Sequence, residues 1–561
     1  MHANRLKRFL ISSDSVVMQP DVETVCSNLN SKVDRGCVCE HDDVLVSNGC
    51  AVINECDNDF GDIHAFEQSE QPILPPSKRI HPQQISHLTP DQQCELLSLL
   101  DKFASCFSDD PGLCTLALHE INLLPGFVPK RLKAYRVPER LKPQVSKEIQ
   151  HLLDLGVIRP SNSDMVSPLV VVLKGPGGRD GIRLAVDYSY VNKFTRNDPF
   201  PVSDIDGIIN RIADAEMMST FDAAQGYFQT KVRAGDEPLT AFICDDGIFE
   251  FLRTPFGGKA CGATFMRAVQ KVIKPVQNFT ESFVDDMVVH SRASNGDNVF
   301  STHLRHVERF LQRIKETGLT LKLRKCKFCQ PEVKFCGKIV GSGGRRPDPQ
   351  KVMAIKGLQP AKTKTEVRRI LGLFGYFRDH IPNYAAIARP LTDLTAKRIP
   401  NKLPWTDVHT SALNQLKQAL CEALERRLSV ADFNKPFHIR VDANDTTVAG
   451  YLSQYNEDGI ECPLAFFSVK LGETQKSWAI VHKEAHAVIV ALRKFRNWIF
   501  GCEIHVYSDH NPLTFLTESA PKNSKLMRWS MAMQEFDIHF HYIKGINNVA
   551  SDSLTRLNSD E

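Results

Sequence analysis

No run of ~18 or more apolar residues occurs anywhere in the 561-residue chain, so no segment reads as a membrane-spanning helix. A secretory leader is equally hard to find. The opening MHANRLKRFLISSDSVV starts basic, but its apolar patch is short and broken by Ser and Asp. The 16 cysteines are scattered, five before residue 80 and eleven after, which without a leader reads as reduced thiols in an intracellular protein, cytoplasmic or nuclear. Cys326-x-x-Cys329 with Cys336 is half a zinc site, but no second ligand pair follows. Core or strand cysteines are therefore the expectation. No short-period repeat is visible, which excludes a solenoid or propeller.

Charge of one sign is also scarce overall, at a net +3, but its distribution is uneven. Residues 1–79 hold 13 acidic and 7 basic side chains, a balance of −6, so the remainder carries +9. A basic body behind an acidic leader fits a polyanionic partner. The 42% hydrophobic and 24% charged content is that of a globular protein, and the length calls for several domains.

Residues 1–85 show no sustained period and end in the linker-like PILPPSKR, so they read as a poorly ordered extension. Thr89 and Pro90 then open a helix as cap and first-turn residue. A helix over 139–155 stops at Gly156, and one over 301–317 stops at Gly318. SPLVVVLK and IRLAVDY read as strands around a glycine-rich loop, GPGGRDG. MMSTFDAAQGYFQTKV reads as a strand running into a turn or short helix. Residues 364–382 and 408–426 read as helical. From 435 strands return, followed by a helix over 477–499. There Trp478, Val481, Ala485, Val488, Leu492, Phe495 and Ile499 form a buried stripe.

In SFVDDMVVHS two carboxylates, Asp285 and Asp286, sit between apolar runs where a two-residue hairpin turn is expected. Such a turn favours Asn-Gly or Asp-Gly, so a repelling pair needs another reason. Asp222, at the end of the strand in STFDAAQGY, supplies one. Phosphoryl transfer to a 3′-hydroxyl is served by two Mg²⁺ ions on the attacking and leaving oxygens, held by a few carboxylates. The cations offset the repulsion.

The chain from about 90 to 557 resembles the polymerase of gypsy-type LTR retrotransposons. LDLGVIRPSNSDMVSPLVVVLK, RLAVDYSYVNKFT, FDAAQGYFQ, TAFICDDGIFEFLRTPFGGKACGATF, FVDD and LKLRKCKFCQPEVKFCGKIV carry that family's order and spacing. The resemblance implies a right-hand α+β polymerase of fingers, palm and thumb, followed by an α/β ribonuclease H-like domain. It implies fingers and palm over 86–345, thumb and connection helices over 346–431, and the nuclease over 432–557. It makes Asp222, Asp285 and Asp286 the metal-binding triad. Arg183 becomes the arginine meeting the incoming triphosphate, joined by Lys174. Tyr227 becomes the gate that excludes a ribose 2′-hydroxyl. Phe256, Gly257 and Lys259 lie under template and nucleotide, and Phe335, Cys336, Gly337 and Lys338 form the primer-gripping hairpin. Alone, Tyr227 would read as a core aromatic and Arg183 as a surface residue. Two positions depart from the family: Gly262, where proline is common, loosening the template-contacting segment, and Ser189, where a basic residue is common.

In HIRVDAND, Ile439 and Val441 share one face, and Arg440 and Asp442 the other, so Asp442 is expected to escape the buried side. Glu484 falls on the flank of the helical stripe, Asp509 ends the strand IHVYSD, and Asp552 opens the last helix. VDAND, VHKEAHAVIVAL, YSDHNPLTFL and KGINNVASDSLTR resemble the family's ribonuclease H, which makes Asp442, Glu484, Asp509 and Asp552 ligands of a second two-metal centre. Ile543 stands where many ribonucleases H carry histidine, and His541 is two residues away. The implied cofactor is Mg²⁺, two ions per site, with Mn²⁺ as the alternative. The implied partners are an RNA template, a DNA primer, their hybrid and dNTPs, and a homodimer is allowed. KLRKCK and GGRRP are candidate backbone contacts, with solvated faces as the alternative. No Asp-Thr-Gly or Asp-Ser-Gly protease signature is found, and no integrase zinc module follows. The expectation is a processed or truncated piece, or an element remnant. A non-catalytic relic, or a nuclease with an impaired polymerase, stands as the alternative.

Overall fold

The computed structural model describes residues 74–173, 181–201, 204–293, 298–509 and 524–543. Lys174 and Asp552 lie outside the described residues.

Helix ends follow the capping chemistry of the sequence. Pro90–Lys102 begins with a capping box in which Thr89 and Gln92 satisfy each other's backbone N–H. Lys142–Asp154 and Val299–Thr317 stop at Gly156 and Gly318, whose φ angles of +61° and +71° favour glycine. Lys364–Tyr376 and Asp407–Glu425 are the two expected middle helices, the first ending in a short 3₁₀ turn, Arg378–His380. The long C-terminal helix is Ile480–Ile499, so Trp478 precedes it and Val481 is only half-buried. Its interior is broader than the expected stripe and includes Lys483, Glu484, Ala487, Ile489 and Ala491.

Among the described residues, four sheets of four or five strands organise the rest, beside a two-stranded pair of 114–119 and 230–232. The first, in the order 158–160, 247–251, 242–244, 167–173 and 182–186, packs against Lys142–Asp154. The second runs 327–330, 217–222, 286–291 and 280–283, so Met217–Asp222 is central beside Asp286–Ser291. Both faces of this sheet are covered. Phe221, Met287 and Val289 meet Phe265, Val269, Phe310 and Ile314 of two helices, Cys261–Ile273 and Val299–Thr317. Met218 and Val288 meet Ile208, Ile209 and Ile212 of Ile205–Ile212 on the other face. A third sheet pairs Glu332–Phe335, Lys338–Gly341, Gly344–Pro347 and Leu428–Ser429.

The last sheet has the order 461–470, 447–455, 437–443, 503–508 and 537–542. The first three strands are antiparallel neighbours, and the last two run parallel to 437–443. Ile439, Val441, Ile504 and Val506 pack under Ala485, Val488, Leu492 and Phe495 of the long helix. Burying each such large side chain contributes about 1.5–3 kcal/mol. This unit is tied to what precedes it. Buried Arg345 donates to the Leu464 carbonyl at 3.2 Å, and its guanidinium lies 5.2 Å from the Trp498 ring centroid. Lys494 also pairs with Asp379 at 2.5 Å. Among the described residues, no helix is long and apolar enough to cross a membrane.

Cys326, Cys329 and Cys336 are all buried. Burial pushes the thiols of Cys326 and Cys329 up to about 12. They are core cysteines, as expected.

Candidate active sites

The first site is built where two strands end side by side. Asp222 closes Met217–Asp222 and pairs in register with Asp286, the first residue of Asp286–Ser291. The hairpin register differs from the sequence expectation by one residue. Phe283 pairs with Asp286, so the two-residue loop is Val284–Asp285 rather than Asp285–Asp286. Only Val284 of the two has positive φ, at +60°. A β-branched residue in that region is strained by roughly 1–3 kcal/mol. The strain lies in the loop that carries Asp285, next to the carboxylates. Val284→Gly is therefore expected to raise stability by about 1 kcal/mol while slowing whatever chemistry the loop supports. Urea unfolding and a turnover assay on one preparation check it. A fall in both would mean that packing, not conformation, fixes Val284.

Burial pushes the Asp222 carboxyl above its usual range. Asp285 adds to this, and the ammoniums of Lys325 and Lys322 oppose it. Lys325 Nζ stands 3.6 Å from the Asp222 carboxylate, and the Lys322 backbone N–H donates to the Asp222 carbonyl at 2.9 Å. In sequence, Lys325 stands out only as part of the basic run KLRKCK. Nothing in its spacing pointed to Asp222, a hundred residues earlier.

Tyr227 follows on the 3₁₀ turn Gly226–Gln229, entered through Gln225 in a left-handed conformation. A Cβ on Gly226 would stand 2.8 Å from the Phe265 ring, which explains the glycine of FDAAQGY. Burial, then the charge of Asp285, pushes the Tyr227 phenol up to about 12. Its ring lies 5.1 Å from that of Phe256, and the Arg183 guanidinium lies 5.9 Å from the same Phe256 ring. Arg183, Phe256 and Tyr227 thus form one wall leading to Asp285. Asn192, missed in the sequence reading, fixes the loop below. It donates to the Gly257 carbonyl and accepts from the Lys259 N–H, both at 2.9 Å. Lys259 Nζ reaches the Thr195 carbonyl at 2.8 Å. Gly262 is the second residue of helix Cys261–Ile273, and an added Cβ would meet the Tyr227 hydroxyl at an ordinary 3.5 Å. The position is therefore helical, with room for a side chain.

Phe335 and Lys338 pair across a turn made by Cys336 and Gly337, both at positive φ. The hairpin faces inward. Phe335 and Lys338 are buried, Lys338 Nζ meets Asp206 at 3.1 Å, and the Tyr376 hydroxyl donates to the Cys336 carbonyl.

The second site gathers Asp442, Glu484 and Asp509, whose ligand oxygens lie within 4.8 Å of one another. Among the described residues this is the only group of three metal-donor side chains so close. Asp222, Asp285 and Asp286 are not drawn together as tightly. Asp442 does not escape burial as expected. It is 8% exposed, because its carboxylate turns into the cleft with the Glu484 helix instead of toward solvent. Glu484, 2% exposed, accepts from the Ala443 N–H at 3.0 Å and from the Ser508 hydroxyl at 3.4 Å. Burial, then Asp442 and Asp509, pushes its carboxyl up to about 8. Three crowded carboxylates, whose mutual repulsion adds to burial in raising the Glu484 carboxyl, have the donor chemistry of a divalent-cation site. His541 bonds instead to His505 at 2.8 Å, on the sheet face opposite the long helix.

Residues 173–340 match the family described as reverse transcriptase (RNA-dependent DNA polymerase). Residues 432–536 match the RNase H-like domain found in reverse transcriptase. Over 438 residues the sequence is 34% identical to the retrovirus-related Pol polyprotein from transposon opus of Drosophila melanogaster, covering 76% of this chain and 43% of that one. The chain carries the reverse transcriptase and RNase H-like domains of LTR-retrotransposon Pol polyproteins. A second relative of this reverse transcriptase is the Pol polyprotein from transposon gypsy of the same fly, 31% identical over 428 residues, with 74% of this chain and 40% of that one covered. The chain thus spans less than half the length of these curated relatives. In structure, the reverse transcriptase is similar to a foamy viral protease–reverse transcriptase in complex with ds DNA. The TM-score is 0.73 at 25% identity, over 85% of this chain and 84% of that one. The fold is accordingly the expected right-hand polymerase followed by a ribonuclease H-like domain. Both families are metal-dependent.

Proposed function

We propose that this chain copies RNA into DNA at the Asp222 site and cleaves the RNA strand of the resulting hybrid at the Glu484 site. The observation that carries the reading is the pairing of Asp222 with Asp286 beside the strained Val284–Asp285 loop, in a chain that also gathers Asp442, Glu484 and Asp509. Two carboxylate sets on two separate sheets suit two separate reactions on one substrate.

At the first site Asp222, Asp285 and Asp286 hold Mg²⁺, with Mn²⁺ as a substitute. The ions supply charge neutralisation on the triphosphate and activation of the primer 3′-hydroxyl. Arg183 supplies a positive charge for the incoming dNTP, assisted by Lys174. Tyr227, backed by Phe256 and Phe265, is a rigid wall against the sugar and excludes a 2′-hydroxyl. Phe256, Gly257 and Lys259 form the floor under template and nucleotide, pinned by Asn192. The 335–338 hairpin supports the primer through its backbone, since its side chains are committed inward. Lys325 offsets the charge of Asp222 until cation and nucleotide arrive.

At the second site Asp442, Glu484 and Asp509, joined by Asp552, hold the cation pair that serves hydrolysis. The protein's own part is to bury Glu484 and fix its orientation through Ala443 and Ser508. We assign residues 86–345 to fingers and palm, 346–431 to thumb and connection, and 432–557 to the nuclease. Recognition rests on phosphates and hybrid shape, so binding should weaken steeply with salt.

Extension of a DNA primer on an RNA template with Mg²⁺ and dNTPs, followed by cleavage of the labelled hybrid, tests the reading. DNA product and shortened RNA are both expected. Folded protein that yields neither would overturn it.

A further inference from the structure

The face of the last sheet opposite the long helix carries a second cluster of metal donors. Phe437–Ala443, Glu503–Ser508 and Asp537–Tyr542 run parallel as neighbours, which places His438, His505 and His539 opposite one another in a row. The ring centroids are 4.9 Å apart for His438–His505 and 5.3 Å apart for His505–His539. Ile504 and Val506 point into the core, so Glu503 and His505 share the opposite face. Glu503 Oε1 lies 3.2 Å from His505 Nε2 and 3.8 Å from His539 Nε2, and Asp537 Oδ1 lies 3.6 Å from the same His539 nitrogen. On the other side of its ring, His505 Nδ1 is 2.8 Å from His541 Nε2.

We propose that Glu503, His505 and His539 bind one divalent transition-metal ion of the Zn²⁺ or Ni²⁺ class, with His541 as a positioning residue. Imidazole and carboxylate donors suit such ions, and ligand separations of 3.2 and 3.8 Å approach those around a small tetrahedral cation. With its proton on Nδ1, His505 donates to His541 and offers the Nε2 lone pair on the Glu503 side, so His541 orients the ring as an outer-shell partner. The three donors do not yet all converge within 4.8 Å. Closure needs movement of His539, which is 52% exposed on the strand that lies at the edge of this sheet. The bound ion ties the Asp537–Tyr542 strand to its neighbour. The site is separate from Asp442, Glu484 and Asp509, because Glu503 starts the strand that Asp509 follows, ~20 Å away along an extended chain.

The test is equilibrium dialysis of the full chain against Ni²⁺, with thiols alkylated and excess Mg²⁺ present. Wild type, His539→Gln and His541→Phe are compared, each checked for native circular dichroism. One Ni²⁺ equivalent is expected in wild type. It should weaken by more than tenfold in His539→Gln and by roughly 10–100-fold in His541→Phe. Ni²⁺ should also raise the Tm of wild type and not that of His539→Gln. Absence of the equivalent in wild type, or unchanged binding in His539→Gln, would overturn the proposal.

Discussion

Asp285→Asn is expected to lower primer extension by roughly 1,000-fold and to leave hybrid cleavage unchanged. The substitution keeps size and shape, so the loop need not move. What it removes is one of the three negative charges proposed to hold the cations. A loss of several kcal/mol in transition-state stabilisation corresponds to about three powers of ten in rate. Asp285 is also a neighbouring charge that pushes the Asp222 carboxyl up. Removing it relieves that repulsion, so the variant should fold at least as well as the parent. The measurement is extension and cleavage on one preparation, with Tm recorded beside them. If both activities fell together, the two carboxylate sets could not be independent sites.

That independence was legible in the sequence to an unequal degree. Helix boundaries were clear where a cap wrote them, as at Thr89, Gly156 and Gly318, because capping is local chemistry. The FVDD hairpin was found but misplaced by one residue. Its strand is buried on both faces, Met287 and Val289 in one core and Val288 in another, so no polar alternation marks the register. The burial of Asp442 was missed for a related reason. Alternation showed that it leaves the face of Ile439 and Val441, but not that the Glu484 helix lies across the strand end it turns into. That Lys325 pairs with Asp222, and that Asn192 pins the 257–259 loop, could not be read. Each acts on a partner far away in the chain, and Lys and Asn residues of this kind are common on surfaces. Arg183, Phe256 and Tyr227 were named separately through the family resemblance, and only the fold brings them into one wall.

Glu484→Gln is expected to abolish hybrid cleavage and, in the absence of divalent cations, to stabilise the protein increasingly as pH rises. In the unfolded chain this carboxyl titrates near 4.5, and in the fold near 8, because it is buried beside Asp442 and Asp509. Below pH 4.5 both states hold the proton and the site costs nothing. Between 4.5 and about 8 the unfolded chain has released its proton while the folded chain keeps it, so stability falls with each step in pH. By pH 7 the loss from this one group is on the order of 3 kcal/mol. Glutamine has no proton to release. It retains an oxygen that can accept from the Ala443 N–H, so its loss of stability with pH should be shallower by this amount. A bound cation acts on the wild type in the same direction, by favouring the carboxylate in the folded state. Tm measured from pH 5 to 8 in a chelator should therefore decline more steeply for wild type than for Glu484→Gln, and Mg²⁺ should narrow the difference. Parallel Tm curves for the two proteins would show that Glu484 is not held protonated by burial. Cleavage should fall by roughly 1,000-fold in the variant while primer extension is retained, the mirror image of Asp285→Asn.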